Sequence, residues 1–232
     1  MAEIVFTIPI NEAFDEYDGC PLCRLKRRLE EGTLEYTLGA AMMEPDVRIE
    51  MNRLGFCTEH LHALSVRKNK LALALIFESQ LDELANQFSA PAVGGKKGLF
   101  AKKQSGVDAA ERLKQFSESC FVCRKIKHTE QRYCSNIAYL WEQKPEFREK
   151  LKRQPYFCMN HSAMLLNICA SALKEADYKS LYDALLSILS RYVQSLRENI
   201  TEFTVSFDHR NAGKPLSEAA RSSIERSIQW LE

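Results

Sequence analysis

The stretch Asn52-Arg-Leu-Gly-Phe-Cys-Thr-Glu-His60 and the earlier stretch Cys20-Pro-Leu-Cys23 together decide what this chain can form. Each ends in two metal-binding side chains three residues apart, a spacing that puts both on one face of a helix. Pro21 suits the first turn of a helix, because its missing N–H would have no partner inside that helix. Three thiolates and one imidazole complete a tetrahedral ligand set. The first predicted metal site consists of Cys20, Cys23, Cys57 and His60.

The same motifs recur about one hundred residues later, which indicates an internal duplication. With an offset of one hundred, residues 20–53 match residues 120–153 at seven of 34 positions. One inserted residue then shifts the offset, and Phe56-Cys57 aligns with Phe157-Cys158. The second predicted metal site consists of Cys120, Cys123, Cys158 and His161.

Some matched positions lie outside the ligands, among them Glu30 and Glu130. Arginines of the first half also align with arginines of the second half. Arginine side chains usually lie on the solvated surface. Retention in both halves instead favours a shared structural role, in which arginines donate hydrogen bonds to thiolates or to a helix end. The matched arginines are Arg24 with Arg124 and Arg48 with Arg148.

Apolar residues recur every three or four positions in both halves, which predicts helices. Pro45 begins a short second helix, Gly55 ends it, and a third begins around Cys57. A fourth helix is expected to bury one apolar face in the core. That face consists of Leu71, Ala74, Phe77, Leu81, Leu84 and Phe88.

The predicted fold is all-α, with two homologous helical repeats that are each built around a Cys3His metal site. A short extended N-terminus over Ile4–Ile8 and a C-terminal helix from about Ser217 to Leu231 complete it, with Ser217 as N-cap. Residues 91–106 hold four of the nine glycines and four lysines, a composition typical of a flexible linker. The predicted boundaries are 1–90 and 107–205 for the repeats and 206–232 for the C-terminal loop and helix.

Composition limits the classes of function. The net charge is +1, so nothing draws the whole chain toward nucleic acid or an anionic membrane, and neither partner is expected. The basic linker residues are too few to change this expectation. The first residues lack the basic and apolar regions of a signal peptide, so we expect a cytoplasmic protein. In that compartment the eight cysteines indicate metal or redox chemistry rather than disulfides.

Zinc is the predicted metal, with two ions per chain, and an iron–sulfur cluster is the alternative because thiolate-rich sites suit both. A dithiol redox site is a third interpretation of Cys-x-x-Cys, but no βαβ pattern surrounds the motifs. Cys134 and Cys169 have no counterparts in the other half and are expected to be small buried residues. His62 and His128 are expected on the surface.

The motifs also carry a resemblance to a known family. With Ile8-Pro-Ile-Asn-Glu-Ala-Phe14, Met43-Glu-Pro-Asp-Val-Arg48 and the cysteine motifs, the chain resembles an uncharacterised bacterial family of clostridial type. That family has duplicated CxxC and GFCxxH motifs and a late Asp-aromatic-Arg element, which appears here as Asp208-His-Arg210. The resemblance implies a bacterial cytoplasm and no particular activity.

Two kinds of function follow from these observations. A scaffold or interaction protein with two structural zinc sites would bind an unidentified protein partner. An enzyme or redox carrier would place its site between the halves and use Asp208, His209 and Arg210. No nucleophile–base pair or phosphate-binding glycine loop stands out in the sequence, which favours the scaffold. The oligomeric state stays open.

Overall fold

The computed structural model describes residues 6–89, 110–111, 113–114, 116–211 and 214–231, and its regular elements in these ranges are all helices. This confirms the predicted all-α class. The described residues between 110 and 118 are helical too. The remaining α-helices are α1 Thr7–Asp15, α2 Pro21–Thr37, α3 Pro45–Leu54, α4 Thr58–Ser65, α5 Lys70–Ser89, α6 Phe121–Gln143, α7 Pro145–Lys152, α8 Met159–Ala172, α9 Glu175–Val205, α10 Glu218–Arg221 and α11 Ser223–Leu231, with 3-10 turns at Ala40–Met43 and His209–Asn211.

The duplication is visible in the order of helices, since α2 to α5 correspond to α6 to α9. Proline begins both short helices, at Pro45 and Pro145. The α3 helix ends at Gly55, whose φ of 62° lies in the region that glycine adopts without strain. The two repeats therefore share one helical plan, as the matched motifs predicted.

The chain divides into two compact units that do not coincide with the sequence repeats. The first unit contains Met1–Arg27 and Thr129–Glu232, and the second contains Arg28–His128. Helix α2 begins in the first unit and ends in the second, whereas α6 begins in the second and ends in the first. Each unit thus combines segments of both repeats. The predicted repeat boundaries stay a prediction, and the linker at 91–106 lies outside the described residues.

The first unit buries helix α1 beside α7. Ile10, Ala13 and Phe14 are fully buried, and the Phe14 ring lies 4.9 Å from the Phe147 ring. The extended N-terminus predicted for Ile4–Ile8 is wrong where the structure describes it, because Thr7 and Ile8 belong to α1. Burial at positions 10, 13 and 14 follows a helical period and overrides the β-branched composition.

The second unit has its own core, to which α5 contributes a different face from the predicted one. Helix α5 buries Ala72, Leu73 and Ile76, whereas Leu71 and Leu81 are 70% and 64% exposed. Residues 71–77 are all apolar, so periodicity alone does not identify the buried face. Other members of this core are Leu34, Leu38, Met51, Leu64, Phe121, Val122 and Ile126.

The C-terminal helix is present but divided at Ser222 into α10 and α11. Ser217 is the N-cap as predicted, and its hydroxyl accepts a hydrogen bond from the Ala220 N–H at 3.1 Å. Among the described residues, the helices are all too short or too polar to cross a membrane.

Candidate metal centres

The eight predicted ligands form two clusters in which every ligand atom lies within 4.8 Å of the others in its cluster. Each cluster lies within one compact unit. We call the cluster of the first unit site A and that of the second unit site B. Site A consists of Cys20, Cys23, Cys158 and His161; site B consists of Cys57, His60, Cys120 and Cys123.

The structure corrects the predicted grouping of these ligands, because each site takes its Cys-x-x-Cys from one repeat and its Cys-x-x-His from the other. Contacts along α2 and α6 show how far each Cys-x-x-His motif lies from its own cysteine pair. His60 contacts Glu30, which follows Cys23 by seven residues on α2, about 10 Å along that helix. His161 contacts Glu130, which follows Cys123 by seven residues on α6, so the same separation applies there. Each Cys-x-x-His motif therefore lies about two helical turns short of its own Cys-x-x-Cys.

All four motifs occupy the same place at the start of a helix. Cys57 and Cys158 are the N-caps of α4 and α8. The Cys20 and Cys120 carbonyls accept the first helical hydrogen bonds of α2 and α6, at 3.2 and 3.0 Å. The second ligand of each motif follows three residues later, where N-cap and N3 side chains face each other. Two positive helix ends therefore meet at each site, and they favour thiolates.

The spacing of the donor atoms fits a single tetrahedral metal ion. Bonds of about 2.3 Å to sulfur and 2.0 Å to nitrogen separate tetrahedral ligands by about 3.8 Å (S to S) and 3.5 Å (S to N). In site A, the Cys23 and Cys158 sulfurs are 3.5 Å apart, and the three sulfurs lie 3.0 to 3.8 Å from His161 Nδ1. In site B, the Cys57 and Cys123 sulfurs are 3.8 Å apart, and the sulfurs lie 3.1 to 3.4 Å from His60 Nδ1. Both donor sets fit a metal.

A carboxylate orients each imidazole. His161 Nε2 lies 3.0 Å from Glu130, and His60 Nε2 lies 3.1 Å from Glu30. When Nε2–H donates to the carboxylate, the lone pair of Nδ1 points at the sulfurs, the arrangement of carboxylate–histidine–metal sites. The sequence match of Glu30 with Glu130 carried this signal, and its meaning was missed. Each glutamate follows by seven residues the second cysteine of the other site, about two turns along the same helix.

The electrostatics of both sites favour positive charge among the sulfurs. A hydrogen bond with Cys120 raises the pKa of His60 to about 9. Burial opposes the charged form of His161, but hydrogen bonds with Cys158, Cys23 and Glu130 raise its pKa to about 11. Burial alone would raise the pKa of Cys120. Its hydrogen bonds, of which the one with His60 has the largest effect, lower the pKa to about 6. A metal ion binds neutral imidazole, so it would replace the histidine proton and supply the positive charge beside the thiolates.

Three of the four matched arginines contact helix ends or carboxylates. Arg24 donates to the Ala13 carbonyl at the end of α1, at 2.5 Å, and pairs with Glu16 at 2.8 Å. Arg148 donates to the Trp141 and Glu142 carbonyls at the end of α6, at 2.5 and 3.0 Å. The helix-end interpretation is thus correct for Arg24 and Arg148. Arg124 instead pairs with Glu50 at 3.1 Å.

The other candidate residues lie apart from this chemistry. Cys134 and Cys169 are fully buried, and burial raises the pKa of both thiols. His62 and His128 are exposed, as predicted. The segment Asp208-His-Arg210 forms a surface turn in which the Arg210 guanidinium donates to the Asp208 carboxylate.

Comparison with known proteins agrees with the resemblance found in the motifs. The chain matches the family of unknown function DUF6062 over residues 1–232. It is 22% identical over 200 residues to an uncharacterized 23.9 kDa protein in the xynA 3′ region of Caldicellulosiruptor sp. (strain Rt8B.4), a match that covers 86% of this chain and 87% of that protein. No solved structure matches the chain.

Proposed function

This chain belongs to the family of unknown function DUF6062, and we propose that it is a structural zinc protein with one ion at each of its two sites. The observation that supports this role is the closed set of three sulfurs and one imidazole nitrogen in each cluster. Zinc is the metal that this donor set holds most commonly in structural sites. Cys20, Cys23, Cys158 and His161 would hold one ion, and Cys57, His60, Cys120 and Cys123 the other.

The donor spacing favours one metal ion per site over an iron–sulfur cluster. A polynuclear cluster divides its protein ligands among different iron atoms, and ligands of different irons lie farther apart than ligands of one ion. In each site here all four ligand atoms lie within 4.8 Å of one another, which matches ligands of a single ion. A Cys-x-x-Cys used for dithiol exchange would also have no need of a third thiol and an oriented imidazole beside it.

A structural role follows from the number of ligands. A catalytic zinc keeps a position open for water or substrate, whereas each site here offers four protein donors. Each ion would connect helix starts that are far apart in sequence, 135 residues for Cys23 and Cys158 and 66 residues for Cys57 and Cys123. The chemistry that zinc supplies here is cross-linking, and its binding energy adds to folding.

We propose further that this stabilised helical framework acts as a scaffold or interaction protein in a reducing compartment such as the cytoplasm. All eight cysteines are free thiols in the structure, which suits that compartment.

The test combines composition with stability. Elemental analysis of the purified protein should give two zinc ions per chain, and X-ray absorption should give three sulfur neighbours and one nitrogen neighbour per ion. Removing the metal with a chelator in reducing buffer should lower the melting temperature measured by circular dichroism. A metal that leaves without moving the melting curve, or a water molecule in its coordination shell, would contradict the structural role.

A further inference from the structure

An apolar groove on the first unit has the dimensions of a helix rather than of a small molecule. It encloses about 1140 Å³, above the roughly 300–1,000 Å³ of small-molecule pockets. Along α9 it extends from Leu186 to Thr201, about 22 Å or four helical turns. Its apolar walls come from α8, α9 and α11. These wall residues are Met159, Leu166, Leu186, Leu189, Val193 and Trp230.

The helix that closes this groove carries an apolar stripe of its own. Helix α11 holds its place through Trp230, whose Nε1–H donates to the Phe157 carbonyl at 3.0 Å. About a third of a turn around the helix from Trp230 lies a stripe of three apolar residues. Ile224, Ile228 and Leu231 in this stripe are 44%, 51% and 60% exposed. Their spacing of four and three residues is the anchor pattern of a helix that binds in an apolar groove.

We propose that a second copy of this chain occupies the groove, so that the α11 stripe of each copy binds in the groove of the other around a two-fold axis. The groove and the stripe belong to the same unit and share α11 as their border. A surface that carries both a helix and its receptor is self-complementary, as an isologous dimer interface must be. Both contacts then form in one association step.

Charges around the two surfaces are complementary. Arg197 and Glu198 on α9 lie near one end of the groove, while Arg221 and Glu225 flank the stripe on α10 and α11. In the described part of the chain, Arg197, Arg221 and Glu225 have no ion-pair partner. A docked copy can place Glu225 beside Arg197 and Arg221 beside Glu198. Opposite charges at the rim would set the direction of the helix.

The exposed apolar area agrees with an interface. Met159, Leu186 and Val193 in the groove are 40–46% exposed. Together with the three residues of the stripe they expose on the order of several hundred Å² in one region, the size of patch that marks an interaction site. A stable dimer buries about 800 Å² per partner, so this patch supplies the apolar centre and the charged rim supplies the remainder.

Sedimentation equilibrium of the zinc-loaded full chain tests the proposal. We expect a dimer, and we expect Ile228→Glu on the stripe or Val193→Glu in the groove to raise its dissociation constant at least 100-fold. Leu81→Glu is the matched control, because Leu81 is 64% exposed on the second unit. Each variant should keep two zinc ions and the wild-type helical content by circular dichroism, which separates loss of the interface from loss of the fold.

Complementation makes the test specific for the helix and the groove. A mixture of Ile228→Glu and Val193→Glu chains restores one intact contact per heterodimer, so it should associate more tightly than either variant alone. Arg197→Glu should weaken the dimer, and adding Glu225→Arg should restore it. A monomer at all concentrations overturns the proposal. A dimer that resists both single variants, or a monomer that binds an unrelated amphipathic peptide in the groove, overturns it as well.

Discussion

Site A and site B are built from the same motifs, yet water reaches them to different extents. In site A, Cys20, Cys158 and His161 are 2–6% exposed, and Glu130 is buried with them. In site B, Cys123 is exposed and Cys57 is half-buried. The side chain of its carboxylate, Glu30, is 39% exposed, against 8% for Glu130. The duplicated sequence therefore placed equal ligands in unequal surroundings.

The two ions would close chain segments of different length, but this affects the free energy of unfolding less than the difference in burial does. On the chain-entropy estimate for a cross-link, closing 135 residues at site A contributes about 5 kcal/mol and closing 66 residues at site B about 4 kcal/mol. The difference is below about 1 kcal/mol. Removing a ligand from a buried site instead breaks the buried pairing of thiolates with the metal, and loss of one partner from a buried charge pairing costs about 3–5 kcal/mol. Burial should therefore govern how differently the two sites respond to the same substitution.

The largest expected effect is loss of a cap ligand from site A. Cys158→Ser should remove one zinc equivalent and lower the free energy of unfolding by more than about 4 kcal/mol, because Cys20 and His161 are buried and Cys23 is half-buried. The matched substitution Cys57→Ser should also remove one equivalent, at roughly half that cost, because water reaches site B. Urea unfolding with elemental analysis measures both. Equal costs would show that burial does not distinguish the sites.

The glutamates should give the next largest effect. Losing such a carboxylate partner typically weakens metal binding about 10–100-fold. Glu130→Gln should fall near the upper end of this range, because its bond to His161 is buried, and Glu30→Gln near the lower end. Competition with a zinc-binding dye measures each affinity. A larger loss of zinc affinity in Glu30→Gln than in Glu130→Gln would contradict the expected effect of burial.

The smallest expected effect concerns the turn that leads into site B. Gly55→Ala should cost about 1–2 kcal/mol, because φ is 62° there and a β-carbon would lie 3.0 Å from the Phe116 ring. Gly19→Ala beside site A is the control. Its β-carbon would meet only the Tyr156 hydroxyl, at 3.7 Å, so its effect should stay below about 0.5 kcal/mol. Thermal unfolding measures the melting temperature of both variants. Equal decreases would show that the positive φ of Gly55 does not set the cost of its substitution.

Local signals in the sequence were enough to predict the helical character after α1 and the eight side chains that form the two clusters. Pro45, Gly55 and Ser217 mark helix ends through their own backbone and side-chain chemistry, and the structure places each as predicted. Cys-x-x-Cys and Cys-x-x-His likewise have a geometry that depends on four residues only. Such features need no knowledge of distant contacts.

The pairing of the motifs was not predicted, because it depends on where long helices carry the chain. Loop closure favours the nearer pair in sequence, which would join Cys23 with Cys57. In the structure, His60 instead contacts Glu30, about two turns past Cys23 on α2, and Cys57 lies beside Cys123. The buried face of α5 was missed for a related reason. Residues 71–77 are all apolar, so the elements that pack against the helix decide which of them are buried.

The central claim is that each metal site joins one repeat to the other, and the zinc content of two double variants tests it most directly. Cys23→Ser with Cys158→Ser alters site A only, so the protein should retain one zinc ion per chain. Cys23→Ser with Cys57→Ser alters both sites, so the protein should retain none. Both samples should remain helical by circular dichroism for the comparison to count. One ion in the second variant and none in the first would show that each repeat binds its own metal, and would contradict the account.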